Sequence, residues 1–365
     1  MLDESVSGSL LALFLYDVSD EIRLDELRRL LKAPPAGRKP AFRQPAPEYV
    51  HFASPPVMEV IEGIKLDGGR WLGGQIAYYD YGVVSLKMEM PFKGSWQDLI
   101  GLSARWINEP ELERKCQDLV QLQLQRVAPA LVNPYNKTLS EDYFIIHLDT
   151  VGAGSDRVPA SHLIEHCGDT IAQIVRGEAA RFSASEREEI LQSRMSYYET
   201  DLLVAGWTAA LIYDTPEGAA PTIQLLEYAN TQLLDFRHYD AVLTDLLAGV
   251  YRLLERRAGP LARWRLAREA ERVNTIRLDV RELAERVDNS IKFLSDMFAA
   301  RLYRMAAARI GVPDYRTLVD QKLQSAGDLY GFMMDRYYHG RAFVLELMVV
   351  IILIIDLVFL FRGAR

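Results

Sequence analysis

His162, Glu165 and His166 stand at the spacing H-x-x-E-H. On a helix this sets two imidazoles one turn apart, where their ring nitrogens suit zinc, and leaves a carboxylate to activate a metal-bound water. Cys167 adjoins the motif. A hydrolytic centre needs a further ligand, and the candidates for it are Glu199 and Glu227. Five-residue motifs also arise by chance, and the plainer reading is an amphipathic helix whose histidines face water. Glu165 is thus the catalytic candidate, His162 and His166 are the metal candidates, and no cofactor is expected.

Other chemistry-bearing residue types lack a frame. Gly152 and Gly154, and the pairs Gly68-Gly69 and Gly73-Gly74, do not fall into G-x-G-x-x-G or G-x-x-x-x-G-K-[ST] and read as turns. No serine sits in a G-x-S-x-G elbow, and His51, His147 and His238 have no nucleophile pattern beside them. Arg263, Arg265 and Arg268 surround Trp264 as a basic patch for RNA or anionic lipid, although such a Trp more often packs on a solvated helix. Catalysis is not the expected role.

The elements that must position these residues fall into three zones. From Leu10 to about Thr215, apolar runs alternate with turn signals in an α+β pattern. Strands are predicted at Leu10–Tyr16, Tyr49–Ala53, Val57–Leu66, Gln75–Tyr79, Val83–Met88, Tyr143–Leu148 and Ala209–Tyr213. Asp80-Tyr81-Gly82 is read as a hairpin turn, and helices are predicted at Asp20–Leu31, Trp96–Ile107 and Glu109–Val127. Thr215-Pro216-Glu217 opens a long helix that Gly259-Pro260 stops. A second is predicted from about Leu261 to Ile310, with a 3,4 seam through Val273, Ile276, Val280, Leu283, Val287, Ser290, Leu294 and Met297. A third starts at Asp314 and runs on without a break into the terminal apolar stretch.

The chain has 365 residues and two cysteines, Cys116 and Cys167, with no paired spacing. That excludes a disulfide scaffold and suits a reducing compartment. Asp3 and Glu4 oppose a signal or transit peptide. Residues 1–251 carry 22 basic against 36 acidic side chains, residues 252–309 carry 14 against 8, and the rest are balanced. An acidic body beside a basic helical segment suggests attraction within or between copies, or of the basic part to anionic lipid or nucleic acid, and the plainer reading is a solvated helix face.

Ala342 to Phe361 is apolar except for Glu346 and Asp356, and its twenty residues would span roughly 30 Å as a helix, the thickness of a bilayer core. It reads as a transmembrane helix, with Tyr337, Tyr338, Arg341, Arg362 and Arg365 at its edges. The acids, about 80° apart around the helix, are then intramembrane assembly residues that face a neighbouring helix.

Several segments carry a resemblance: Leu225–Asp240, Val287–Phe293, Lys322–Tyr330, Tyr78–Val84, and above all Leu345-Glu346 followed by Ile351 to Asp356. On these the chain resembles the "required for meiotic nuclear division" or YagE-type family, in its bacterial branch. The resemblance implies a membrane-anchored, oligomeric protein, and organelle members are linked to mitochondrial translation.

The expected architecture is an α+β domain over residues 1–215 with a Pro-rich loop at 33–47. A helical hairpin or coiled-coil region over 216–341 follows, then one C-terminal transmembrane helix over 342–361. The expected function is a tail-anchored, homo-oligomeric scaffold or tether in a bacterial inner membrane, its bulk cytoplasmic. A metal-dependent hydrolase and an RNA or lipid binder are the alternatives, with nucleic acid the less expected partner.

Overall fold

A computed structural model describes residues 5–32, 50–52, 55–65, 71–152, 157–255, 262–289, 291–293 and 297–363. The Pro-rich loop at 33–47, Gly68-Gly69 and Gly154 lie outside them. The chain divides into two units, one of residues 1–238 and 285–315, the other of residues 239–284 and 316–365.

The first unit is built on strands β1 (Ser5–Ile22), β3 (Val57–Lys65), β4 (Trp71–Tyr78), β5 (Val83–Ser95), β6 (Leu131–Val151), β7 (Arg194–Met195), β8 (Leu202–Ala205) and β9 (Ala209–Tyr213). They form one sheet in the order β3-β4-β5-β1-β6-β9-β8-β7, antiparallel except for the β6–β9 pair. Strand β2 (Val50–Phe52) pairs separately with β10 (Ile291–Phe293). Helices α1 (Leu24–Leu31), α2 (Trp96–Ile107), α3 (Pro110–Val127), α4 (Ala160–Arg176) and α5 (Ala184–Gln192) complete the N-terminal part.

The run Leu10 to Tyr16 does not alternate because β1 is buried on both faces. Leu10, Ala12, Phe14 and Tyr16 join the large apolar core that also holds Leu99 of α2 and Leu163, Ile171 and Ile174 of α4. Leu11, Leu13, Leu15 and Asp17 occupy the opposite face and are equally covered. The tight turn at Asp80-Tyr81-Gly82 is held against the end of β1: Val18 N donates to Gly82 O at 3.0 Å and Ile22 N to Asp80 O at 3.1 Å. Gly82 has φ +92°, and a Cβ there would sit 1.7 Å from the Ser19 carbonyl oxygen, so only glycine fits. Helix α2 starts where the sequence places it because Ser95 and Asp98 form a capping box, with Asp98 N donating to Ser95 Oγ and Ser95 N to Asp98 Oδ2.

Helix α6 (Pro216–Glu255) opens with Thr215 Oγ1 accepting from Gly218 N at 3.1 Å, and contributes residues to both units. The long helix predicted to run on to Ile310 is broken. It is α7 (Ala262–Asn289), then β10, then α8 (Met297–Ile310), because Ile291-Lys292-Phe293 finds a strand partner in Val50–Phe52. Ser290 and Leu294 of the predicted seam lie outside the described residues, and Ile291–Phe293 between them is strand. In the second unit, Leu243 and Val250 of α6, Val273 and Val280 of α7, and Val319, Ala326 and Met333 of the last helix, α9 (Val312–Gly363), are buried at seven-residue spacing. Lys322 Nζ reaches Asp240 Oδ1 and Thr244 Oγ1 within that unit.

The C-terminal transmembrane helix is not found: among the described residues no helix is long and apolar enough to cross a membrane. Residues 342–361 end the 52-residue helix α9 instead. In the sequence, two acids weigh against a span. Only nine apolar residues separate Glu346 from Asp356. They amount to about 13.5 Å of helix against a hydrocarbon core of about 30 Å, and an acid near mid-span adds about 2.5–3.5 kcal/mol on insertion scales. The tail-anchored, single-pass inner-membrane placement falls with the span, as do the membrane contact through 342–361 and the intramembrane role of Glu346 and Asp356. The side chains of those two residues lie outside the described set.

Candidate functional site

Helix α4 turns Leu163, Cys167, Ile171 and Ile174 into the core, which leaves His162, Glu165, His166 and Asp169 along its outer stripe. The helix stops at Gly177, whose φ of +67° supplies the left-handed cap and whose Cβ would meet the Ile107 side chain at 2.7 Å. The structure brings the three motif residues together: one ligand atom of each of His162, Glu165 and His166 lies within 4.8 Å of the others. The two imidazoles are 4.1 Å apart between ring centroids and tilted by 40°. Nδ1 of His166 is 3.1 Å from the His162 carbonyl oxygen, and its nearest approach to Glu165 Oε2 is 4.0 Å. Asp169 holds Arg187 at 3.1 Å.

The third ligand expected of a hydrolytic centre is not gathered here. Among the described residues the metal-competent group contains neither Glu199 nor Glu227. Glu199 is exposed and uses its carbonyl oxygen to accept from Ala160 N, while Glu227 is buried on α6. Cys167 points into the core, a structural thiol rather than a ligand beside the histidines. His147 is also buried, with Nε2 2.9 Å from the Asp214 carbonyl oxygen. Of the basic patch, Arg268 is exposed, and the side chains of Arg263 and Arg265 lie outside the described set.

A second cluster went unnoticed in the sequence. Helix α6 buries five polar residues, Glu227, Asn230, Thr231, Gln232 and Asp235, and Thr231 faces the 80–82 turn. Tyr81 Oη and Thr231 Oγ1 are 2.8 Å apart, and Tyr303 donates to Gln232 Oε1. One turn beyond Asp235, His238 places Nδ1 2.8 Å from Oδ2 of Asp17 on β1, an ion pair whose acid is almost fully buried. Tyr135 stacks on the His238 ring at 4.4 Å and 13°. A bulge puts Tyr135 there: Asp17 pairs with Leu139 but Ser19 with Pro134, so the intervening residues of β6 are pushed out of register.

The electrostatics of this cluster are those of crowded, desolvated acids. Burial drives the Asp235 carboxyl well above the usual carboxylate range, and the nearby charges of Asp17 and Asp80 push the same way. Asp17 is also raised, again chiefly by burial, with His238 pulling it back. Asp235 Oδ2 has no hydrogen-bond partner. Burial likewise raises the phenol of Tyr135, and the Cys116 thiol is pushed up to about 12. The arrangement favours the neutral form of the Asp235 carboxyl, and the His238–Asp17 pair ties α6 to β1. A sequence signal existed in Leu225–Asp240, where polar residues recur inside an apolar helix.

Residues 7–220 match a family model described as "Uncharacterized protein MJ0711, N-terminal domain". The chain belongs to this family. The MJ0711 N-terminal domain thus covers the sheet, helices α1 to α5 and the first residues of α6. A curated relative, "Uncharacterized protein MJ0711" of Methanocaldococcus jannaschii, is 19% identical over 190 residues, 52% of this chain and 58% of the relative. The chain therefore spans little more than half the length of that protein. No solved structure matches the chain. The family match supports neither the YagE-type assignment nor its bacterial branch.

Proposed function

We propose that this MJ0711-family chain is an oligomeric scaffold that self-associates through the end of helix α9 and displays its N-terminal α+β domain. The observation that supports the reading is a run of consecutive exposed aliphatic residues, Met348 to Ile355, continued at Leu357. Consecutive positions on a helix point all round it, so this is not one apolar stripe but an apolar cylinder, which water disfavours and a packed partner helix covers. A second copy suits the charge pattern. Arg341 precedes the run and Asp356 follows it in the sequence, so the antiparallel register that sets residue 341 level with residue 356 opposes arginine to acid, and two-fold symmetry repeats that match at the other end.

The narrower kinship with the YagE-type family stays within this proposal on its quoted segments, and all of those but Tyr78–Val84 lie outside the residues the family model covers. Hydrolysis at Glu165 and RNA or lipid binding along Arg263, Arg265 and Arg268 have no comparable support. Light scattering tests the scaffold: the full chain should have the mass of an assembly, and the Ile352→Asp/Ile355→Asp variant that of one chain. Equal masses would remove the reading.

A further inference from the structure

The exposed stripe of α4 carries a second capacity, independent of self-association. Its two histidines and one carboxylate are already drawn together, each with a ligand atom within 4.8 Å of the others. Ligand atoms of a zinc-type site sit about 3.3 Å apart when each bond is about 2.0–2.1 Å, so rotation of exposed side chains closes the gap without backbone movement. The helix beneath is rigid: Leu163, Cys167 and Ile171 are buried in the core cluster one turn after another. With Nδ1 of His166 donating its proton to the His162 carbonyl oxygen, Nε2 keeps the lone pair that a metal needs. Backbone-held second nitrogens of this kind orient metal-binding histidines generally.

Two imidazole nitrogens and one carboxylate oxygen suit borderline transition ions rather than magnesium or calcium, which prefer all-oxygen shells. We propose that His162, Glu165 and His166 form a surface site for one divalent transition ion of the Zn2+ or Ni2+ class, with its remaining coordination positions open to water. The site differs from a buried structural zinc site in lying on an exposed helix, so the ion exchanges freely and its loss leaves the fold intact.

Calorimetric titration of the untagged full chain with NiCl2 tests this. One saturable site is expected, weakened at least tenfold by His162→Ala or by His166→Ala and less by Glu165→Gln, with unchanged circular dichroism. No saturable binding, or binding that survives the double alanine substitution, overturns the proposal. If the alanine variants lose helix signal, protection of His162 and His166 from diethylpyrocarbonate by Ni2+ in the unaltered chain decides instead. Protection supports the site, and equal modification with and without nickel overturns it.

Discussion

The two units place their residues in opposite ways. In the first, carboxyl groups are buried, Asp17 on β1 and Glu227 and Asp235 on α6, and the aliphatic side chains of β1 are covered on both faces. In the second, Val319, Ala326 and Met333 are buried at heptad spacing, yet the same helix α9 leaves its aliphatic residues Met348 to Ile355 exposed. A unit that dehydrates acids invests in specificity, because buried polar groups fix one arrangement when they are paired. A unit that leaves a cylinder of aliphatics uncovered is incomplete by itself. The first unit thus covers its apolar strands within one chain, and for the second we propose that another copy covers the exposed end of α9.

The comparison breaks most easily at His238. Replacing it with alanine leaves the Asp17 carboxyl buried without its imidazole partner, and loss of one member of a buried pair costs about 3–5 kcal/mol. Urea unfolding of His238→Ala should show a loss of that size, and a loss below about 1 kcal/mol would make the pair incidental. Next in size is Gly82→Ala. Its Cβ would overlap the Ser19 carbonyl at a φ of +92°, and a strained backbone of this kind costs about 1–3 kcal/mol before the clash is relieved. The expected result is a lower midpoint with an unchanged slope.

Asp235→Asn gives the smallest effect, and its sign depends on pH. The folded-state pKa of Asp235 is raised, so between the unfolded value of about 3.9 and the folded value the native state binds more protons than the unfolded one. Stability from this group is complete below pH of about 4 and is lost as pH rises through the folded pKa. Asparagine removes that loss. The variant should therefore gain in melting temperature relative to the parent at pH 8 and show no such gain at pH 4; a gain that is equal at both would refute the protonated-carboxyl account.

What the sequence made legible was local. Strand β9 and helix α2 have the bounds read from it, because an apolar run closed by turns and a Ser-x-x-Asp cap are complete signals within a few residues. Strands β1 and β6 are longer than their apolar runs: Leu139 and Ser140 of β6 pair with Asp17 and Tyr16, Pro134 pairs with Ser19, and the polar residues between form a bulge that no apolar alternation announces. The break between α7 and α8 depends on a partner strand far back in the chain, invisible to periodicity. The H-x-x-E-H triplet was legible because one helical turn holds it. The cluster of Asp17, Tyr135, Asp235 and His238 was not, since more than two hundred residues separate Asp17 from Asp235 and only folding brings them together. The transmembrane reading gave the apolar run more weight than the two acids within it.

The claim that the second unit is completed by another copy is tested most directly by sedimentation velocity of the unaltered full chain over a hundredfold range of concentration. The account predicts a species of at least twice the 41.5 kDa chain mass that dissociates on dilution or persists throughout. A single 41.5 kDa species at every concentration would contradict it.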